Sequence, residues 1–239
     1  MADQRPRLRV GGIQLLTTID WEGRLAAIVF LQGCPWRCAY CHNRELTPRT
    51  APGMTPWAET LDQLRARQGF LDAVIFSGGE PTLQGDLPGA IAEVAELGFE
   101  IALHTNGFDP PALARVLDAG GLSYVAMDVK APFAKYRDVT GVPASGRGAE
   151  RSVELLIASG VDHEFRTTYH PALLSHDDLR EIARDLADRS APTWFIQKFR
   201  REGCPSPGLR DSVLLPAEIP EDMAAQFAGM FKRFGVREA

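Results

Sequence analysis

Six short apolar runs alternate with helical segments along most of this chain, and that alternation narrows its fold more than any other feature. The runs lie at 26–31, 73–77, 100–105, 124–128, 163–168 and 193–198, and the helical segments at 57–68, 87–97, 111–119, 149–159 and 177–189. Strand and helix taken in turn are the pattern of a parallel sheet in the α/β class. Six such units predict an incomplete (β/α)6 barrel of the TIM type, open on one side. Ser175 with Asp178 three residues on predicts a helix N-cap of the S-x-x-D type. The segment 221–234 puts Met223, Phe227, Met230, Phe231 and Phe234 on one helical face, read as a helix that covers the core. With 239 residues and no repeat or convincing linker, a single domain over 1–239 is expected, its core at about 20–200 and its covering helix at about 221–234. The Gly- and Pro-rich stretches 200–220 and 132–147 are expected to be mobile loops.

Within this frame the run GCPWRCAYCHN stands out, because it packs Cys34, Cys38 and Cys41 into eight residues. A structural zinc site or an ordinary cubane iron–sulfur cluster takes four protein ligands, so three local thiolates leave one metal corner for a ligand that is not protein. A zinc site of Cys34, Cys38, Cys41 and His42 is the alternative, although side chains on adjacent residues diverge. Cys204 could supply a distant fourth thiolate, but in EGCPSPG it is read as a free thiol in a loop. A disulfide is disfavoured, since nothing in the chain suggests export and cytosolic thiols stay reduced.

Composition supplies exclusions. No stretch approaches the roughly 20 apolar residues of a membrane helix, and the first 25 residues contain no long apolar run. A soluble, cytoplasmic protein with no membrane partner is expected. The net charge of −5 argues against a nucleic-acid partner, and Lys198, Arg200 and Arg201 form only a small basic cluster of the kind found in solvated loops.

In a parallel (β/α) barrel, active sites lie at the carboxyl ends of the strands. Here the runs lead into the cysteine loop, Ser77-Gly78-Gly79-Glu80-Pro81, Thr105-Asn106-Gly107, Asp128-Val129-Lys130, Arg166-Thr167-Thr168-Tyr169-His170 and Gln197-Lys198-Phe199. Paired glycines before Glu80 either make a simple strand-ending turn or let backbone approach a ligand while the carboxylate accepts from an ammonium. Asp128 and Lys130, two apart, share a face, as do Arg166, Thr168 and His170. The first pair is either an ion pair at the sheet rim or part of a ligand pocket. His170, before Pro171, could close a turn, and His42 could act on a cluster from beside its ligand.

The motifs GCPWRCAYCHN, SGGEPTLQ, HTNG and MDVKAP resemble those of radical S-adenosylmethionine enzymes, and within them the activating enzymes of glycyl radical proteins. The likeness is greatest to the short activases of anaerobic ribonucleoside-triphosphate reductase, including Gly11-Gly12 and the Cys-His-Asn after the cluster motif. The resemblance implies a [4Fe–4S] cluster on Cys34, Cys38 and Cys41, whose open iron is chelated by S-adenosylmethionine. It further implies that Tyr40, Cys41 and His42 contact the nucleoside side, and that Gly78, Gly79 and Glu80 hold the methionyl end. Thr105, Asn106, Asp128, Lys130, Arg166 and His170 complete the pocket. The implied partners are a glycyl radical enzyme and a flavodoxin or ferredoxin as electron donor. The alternatives are an activase of the pyruvate formate-lyase type, a small-molecule enzyme of the carboxydeazaguanine synthase type, and a zinc-binding interaction module. Two positions depart from the pattern. His104 stands where pyruvate formate-lyase activases have Asp, and Asp20-Trp21-Glu22-Gly23 lacks the proline of D-x-P-G.

Overall fold

The computed structural model describes residues 7–212 and 218–238. Its strands are β1 (Val10–Thr17), β2 (Ala26–Leu31), β3 (Ala73–Gly78), β4 (Glu100–Thr105), β5 (Tyr124–Asp128), β6 (His163–Tyr169), β7 (Thr193–Lys198) and β8 (Arg233–Arg237). The helices are α1 (Trp57–Arg65), α2 (Leu87–Glu96), α3 (Pro110–Ala119), α4 (Tyr136–Thr140), α5 (Ser145–Ser159), α6 (His176–Asp188), α7 (Pro207–Arg210) and α8 (Glu221–Ala228). The strands follow one another in sequence order from β1 to β8 in an open α/β sheet. Of the pairings, β1 meets β2 antiparallel, whereas β2–β3, β3–β4, β6–β7 and β7–β8 are parallel. The chain divides into two compact units. The first is Met1–Pro35, Glu45–Thr105 and Asp109–Val125; the second is Trp36–Arg44, Asn106–Phe108 and Ala126–Ala239.

In the first unit, small residues line one face of β2 to β4: Ala26, Ile28, Ala73, Ile75 and Ala102 are buried together, with Trp21, Phe30 and Tyr124 packed against them. Trp21 stacks on Tyr124 at 5.3 Å between ring centroids. Alternate residues face the other way, and there Phe76 meets Trp57 of α1, whose indole N–H donates to Glu93 of α2 at 2.5 Å. Helix α3 starts where Asp109 accepts the Ala112 N–H at 3.1 Å and two prolines follow, an arrangement suited to a first helical turn.

In the second unit, Trp194 of β7 packs against Phe227, Phe231 and Phe234, and its indole N–H donates to the Thr167 hydroxyl at 3.0 Å. The expected S-x-x-D cap is present at α6. Ser175 Oγ accepts the Asp178 N–H at 3.1 Å, and Asp178 Oδ2 accepts the Ser175 N–H at 2.8 Å, a reciprocal capping box.

Three expectations need correction. The sheet has eight strands rather than six, because β1 and β8 extend it; β1 carries Gly11 and Gly12, which weaken any strand signal. The covering helix stops at Ala228 instead of running to Phe234. Phe231 and Phe234 still pack on Trp194, but Phe234 does so from β8, where backbone pairing with β7 replaces helical bonding. The stretch 132–147 is not a plain loop, for it holds a 3-10 turn at Phe133–Lys135, α4 and the start of α5. Glycine hid that start. A Cβ on Gly146 would lie 1.9 Å from the Phe133 carbonyl oxygen, so a residue of poor helix propensity is required there. Within 200–220 the described part includes α7, while 213–217 lies outside the described residues. No helix among the described residues is long and apolar enough to cross a membrane.

Candidate functional site

The polar strand-end motifs fall into both units. In the first, β2 runs out into Gln32, Gly33 and Cys34. The Gly33 N–H donates to Leu46 O at 2.7 Å and the Cys34 N–H to Thr47 O at 3.1 Å. The Gly33 carbonyl then accepts the Glu80 N–H at 2.8 Å, so the backbone beside Cys34 is bonded directly to the Gly-Gly-Glu turn. Both glycines of that turn are sterically required. Gly78 has φ +116° and a Cβ there would sit 2.4 Å from Leu31 N, while a Cβ on Gly79 would sit 2.3 Å from the Gly33 carbonyl oxygen. Backbone approach this close excludes any side chain. Glu80 itself is fully buried, and its Oε1 accepts the Thr82 N–H at 3.1 Å, the Thr82 hydroxyl at 2.6 Å and the Thr105 hydroxyl at 2.7 Å. The structure thus brings Glu80 and Thr105, from two separate strand-end motifs, into direct contact. Thr82 was missed, although a Thr two residues after Glu80 is the spacing at which hydroxyl and N–H can both reach back.

In the second unit, the segment Trp36–Arg44 carries Cys38, Tyr40, Cys41 and His42. The Cys41 N–H donates to Cys38 O at 3.1 Å, which closes a turn, and the Arg37 N–H donates to Thr140 O at 2.9 Å. Cys38 is buried and Cys41 half-buried. Burial pushes the Cys38 thiol up, and the nearby Lys130 ammonium pulls partly the other way. Lys130 Nζ lies 2.9 Å from Asp128 Oδ2, 3.5 Å from the Tyr40 hydroxyl and 5.4 Å from the centroid of the Tyr40 ring. Burial alone would favour neutral Lys130, but Asp128 outweighs it and holds the ammonium charged well above the ordinary lysine range. Tyr40 and Tyr136 are pushed upward by burial and stay neutral phenols.

The histidines form a second cluster. His42 Nε2 is 2.9 Å from Arg200 O, and its ring packs on Phe199, whose other neighbour is His170 at 4.7 Å. His170 Nδ1 accepts the Ala172 N–H at 3.1 Å, which leaves Nε2 as the donor to Leu209 O at 3.1 Å. His170 therefore does close the turn at Pro171. Asn106 Oδ1 accepts the Phe108 N–H at 3.0 Å and builds the turn before Gly107.

Arg166 accepts the Val129 N–H, beside Lys130, at its carbonyl at 2.7 Å. Its Nε donates to Glu164, two residues earlier on the same strand face, and the same carboxylate takes Arg237 of β8 at 2.8 and 3.1 Å. The Arg237 guanidinium lies 3.4 Å from the Phe195 ring centroid. Glu164 and Arg237 carried no sequence signal, since their pairing depends on β8, and neither did Tyr136, whose hydroxyl accepts the Lys130 N–H at 3.1 Å.

All four cysteines are free thiols. Among the described residues no three Cys, His, Asp or Glu side chains are grouped so as to hold a single metal ion. Thiolates that each bind a different iron of a cluster need no such convergence.

Comparison with known proteins places this arrangement in a family. The model of the Radical SAM superfamily matches residues 28–188, more than half of the chain. A Methanocaldococcus jannaschii protein provisionally named as a glycyl-radical enzyme activating enzyme is 34% identical over 195 residues, covering 80% of this chain and 79% of its own. The pyruvate formate-lyase-activating enzyme of Clostridium pasteurianum is 28% identical over 182 residues, covering 73% of this chain and 74% of its own. Among solved structures, Streptococcus suis SuiB bound to S-adenosylmethionine aligns with a TM-score of 0.63 at 13% identity, a likeness of fold alone. That alignment covers 87% of this chain, which spans just under half (48%) of SuiB. The superfamily works with a [4Fe–4S] cluster and S-adenosylmethionine. The chain belongs to the radical S-adenosylmethionine superfamily and, within it, to the glycyl-radical enzyme activating enzymes.

Proposed function

We propose that this protein generates a glycyl radical on anaerobic ribonucleoside-triphosphate reductase, using a [4Fe–4S] cluster held by Cys34, Cys38 and Cys41 together with S-adenosylmethionine. The observation that carries the reading is the loop of three free thiols with no fourth cysteine nearby, in a chain that the superfamily model matches from residue 28 to 188. The donor set fits the cluster, because soft thiolates are the ligands iron–sulfur centres take and none here is lost to a disulfide. Trp36, between Cys34 and Cys38, adds a buried indole N–H with no acceptor among the described residues, a donor that an anionic, sulfur-rich guest would suit.

When bound, the cluster and its ligand supply one-electron cleavage of the C5′–S bond, yielding methionine and, after hydrogen abstraction from a glycine α-carbon of the partner, 5′-deoxyadenosine. The chain's own residues bind and orient. Gly78 and Gly79 remove side chains where backbone must approach the methionyl end, and Glu80, fixed by Thr82 and Thr105, offers its carboxylate to the ammonium. Tyr40, Cys41 and His42 form the nucleoside side, with Asn106, Asp128, Lys130, Arg166 and His170 around the remainder. Hydrogen-atom abstraction requires no general base, which agrees with the lack of an acid–base dyad among the residues described. A flavodoxin or ferredoxin as donor and a cytoplasmic location belong to the same reading.

The test is anaerobic reconstitution with iron and sulfide, reduction by dithionite, and assay of 5′-deoxyadenosine against a C38A control. A glycine-centred paramagnetic signal on added reductase supports the proposed target. The same signal on pyruvate formate-lyase alone favours the other activase class, to which the Clostridium relative points.

A further inference from the structure

Lys130 is engaged with the cysteine loop in a way that goes beyond holding a small ligand. Its ammonium sits over the ring of Tyr40, the residue between Cys38 and Cys41, at 5.4 Å from the centroid and 3.5 Å from the hydroxyl. A cation over a buried aromatic face is attracted to it, more strongly as water is excluded. Two uncharged contacts support the same loop. Tyr136, which accepts the Lys130 N–H, packs edge-on against Trp36 at 5.7 Å, and Arg37 donates to Thr140 O at 2.9 Å. Of these three contacts on the loop, one carries charge.

The charge is lopsided. The Lys130 side chain is 11% exposed and that of its partner Asp128 is 41% exposed. Water screens the carboxylate more than the ammonium, so the pair does not cancel on its buried side.

We propose that Lys130 is a positioning residue that pins the cysteine loop through Tyr40 and favours the reduced state of a cluster bound there, with Asp128 moderating the effect. The proposal rests on the reading that Cys38 and Cys41 are cluster ligands. Reduction brings one electron from an external low-potential donor, makes and breaks no bond to Lys130, and adds one negative charge beside a fixed positive one. Favourable interaction with that charge raises the midpoint potential.

The experiment is a redox titration of reconstituted wild type, K130M, D128N and Y40L without S-adenosylmethionine, followed by the optical and paramagnetic signals of the cluster, with iron and sulfide measured in each. K130M should shift the midpoint to more negative values and D128N to more positive ones, while Y40L should hold less iron per chain. Opposite shifts separate the proposal from a merely structural role, which would lower iron content in both charge variants without opposing their potentials. Shifts of one sign, or none, overturn it. Should K130M fail to load, D128N decides alone, its positive shift supporting and its absence refuting. A wild type that forms no [4Fe–4S] spectrum overturns the cluster reading and this proposal with it, whereas a normal cluster with no opposed shifts sinks this proposal only.

Discussion

Glu80 in the first unit and Lys130 in the second are both ionisable groups buried at strand ends, and the neighbours seen around them differ in kind. Glu80 accepts a backbone N–H and two hydroxyls. Lys130 meets a carboxylate and an aromatic ring. The Glu80 turn is held by backbone, since Gly78 and Gly79 lie against the chain at Leu31 and Gly33 with no room for a Cβ. The Lys130 cluster is held by side chains, two of them charged. A carboxylate held by hydroxyl and N–H donors is oriented by them, whereas an ion pair orders its surroundings through charge.

The largest expected effect tests the backbone side. Gly79→Ala would place a methyl 2.3 Å from the Gly33 carbonyl oxygen, and because the obstacle is main chain it should cost about 3 kcal/mol or more. Urea denaturation checks this against Gly85→Ala, where nothing lies within 4 Å and the change should stay within about 0.5 kcal/mol. Equal losses at the two sites would break the claim that backbone contact holds the turn.

Next comes Glu80. E80A deprives three donors of their shared acceptor and should lose about 1–3 kcal/mol of stability. E80Q keeps an oxygen for them, so it should fold within about 1 kcal/mol of wild type while binding S-adenosylmethionine at least roughly tenfold more weakly. Calorimetric titration beside denaturation separates the two; an E80Q protein that binds normally would show that the charge is not what the turn presents.

Smaller again is the stability effect of K130M, about 1 kcal/mol once the solvent exposure of Asp128 is allowed for. The folded-state pKa of Lys130 is raised, so its contribution is fully present below the unfolded lysine value near about 10.4 and fades as pH rises through the folded value. Wild type should therefore lose more stability than K130M above that range, measured by denaturation across pH. The smallest effect is at the α6 capping box. For Asp178, burial works to raise the pKa but is outweighed by Lys135 and Ser175, so the folded value is lowered. The stability this adds is present above the unfolded carboxylate value and disappears as pH falls through the folded one. D178N should cost about 0.5 kcal/mol at neutral pH and little in acid.

Much of this was legible from residues alone. The strands at 26–31, 100–105, 124–128 and 193–198 stand where short apolar runs predicted them. Helix ends drifted by a few residues, as at the start of α5, whose first turn contains Gly146. That Asp128 and Lys130 share a face followed from strand geometry, whereas the Glu80–Thr105 contact was not foreseen from their separate motifs. What escaped notice depended on partners distant in sequence. Arg166 pairs with Glu164 and Arg237, and no period within β6 announces a carboxylate shared with a strand about 70 residues on. Phe231 and Phe234 continued a helical stripe in sequence, yet β8 pairing prevailed because a parallel neighbour satisfies the backbone just as a helix would.

By itself, the sequence determined the alternation of strand and helix, the three-cysteine loop and the polar motifs that close the strands, because each is written in residues a few positions apart. Only the tertiary structure decided that β1 and β8 extend the sheet, that Glu80 accepts from the Thr105 hydroxyl, and that Lys130 reaches the ring of Tyr40. Those outcomes depend on which surfaces meet after the chain has folded, where packing and burial outweigh local preference.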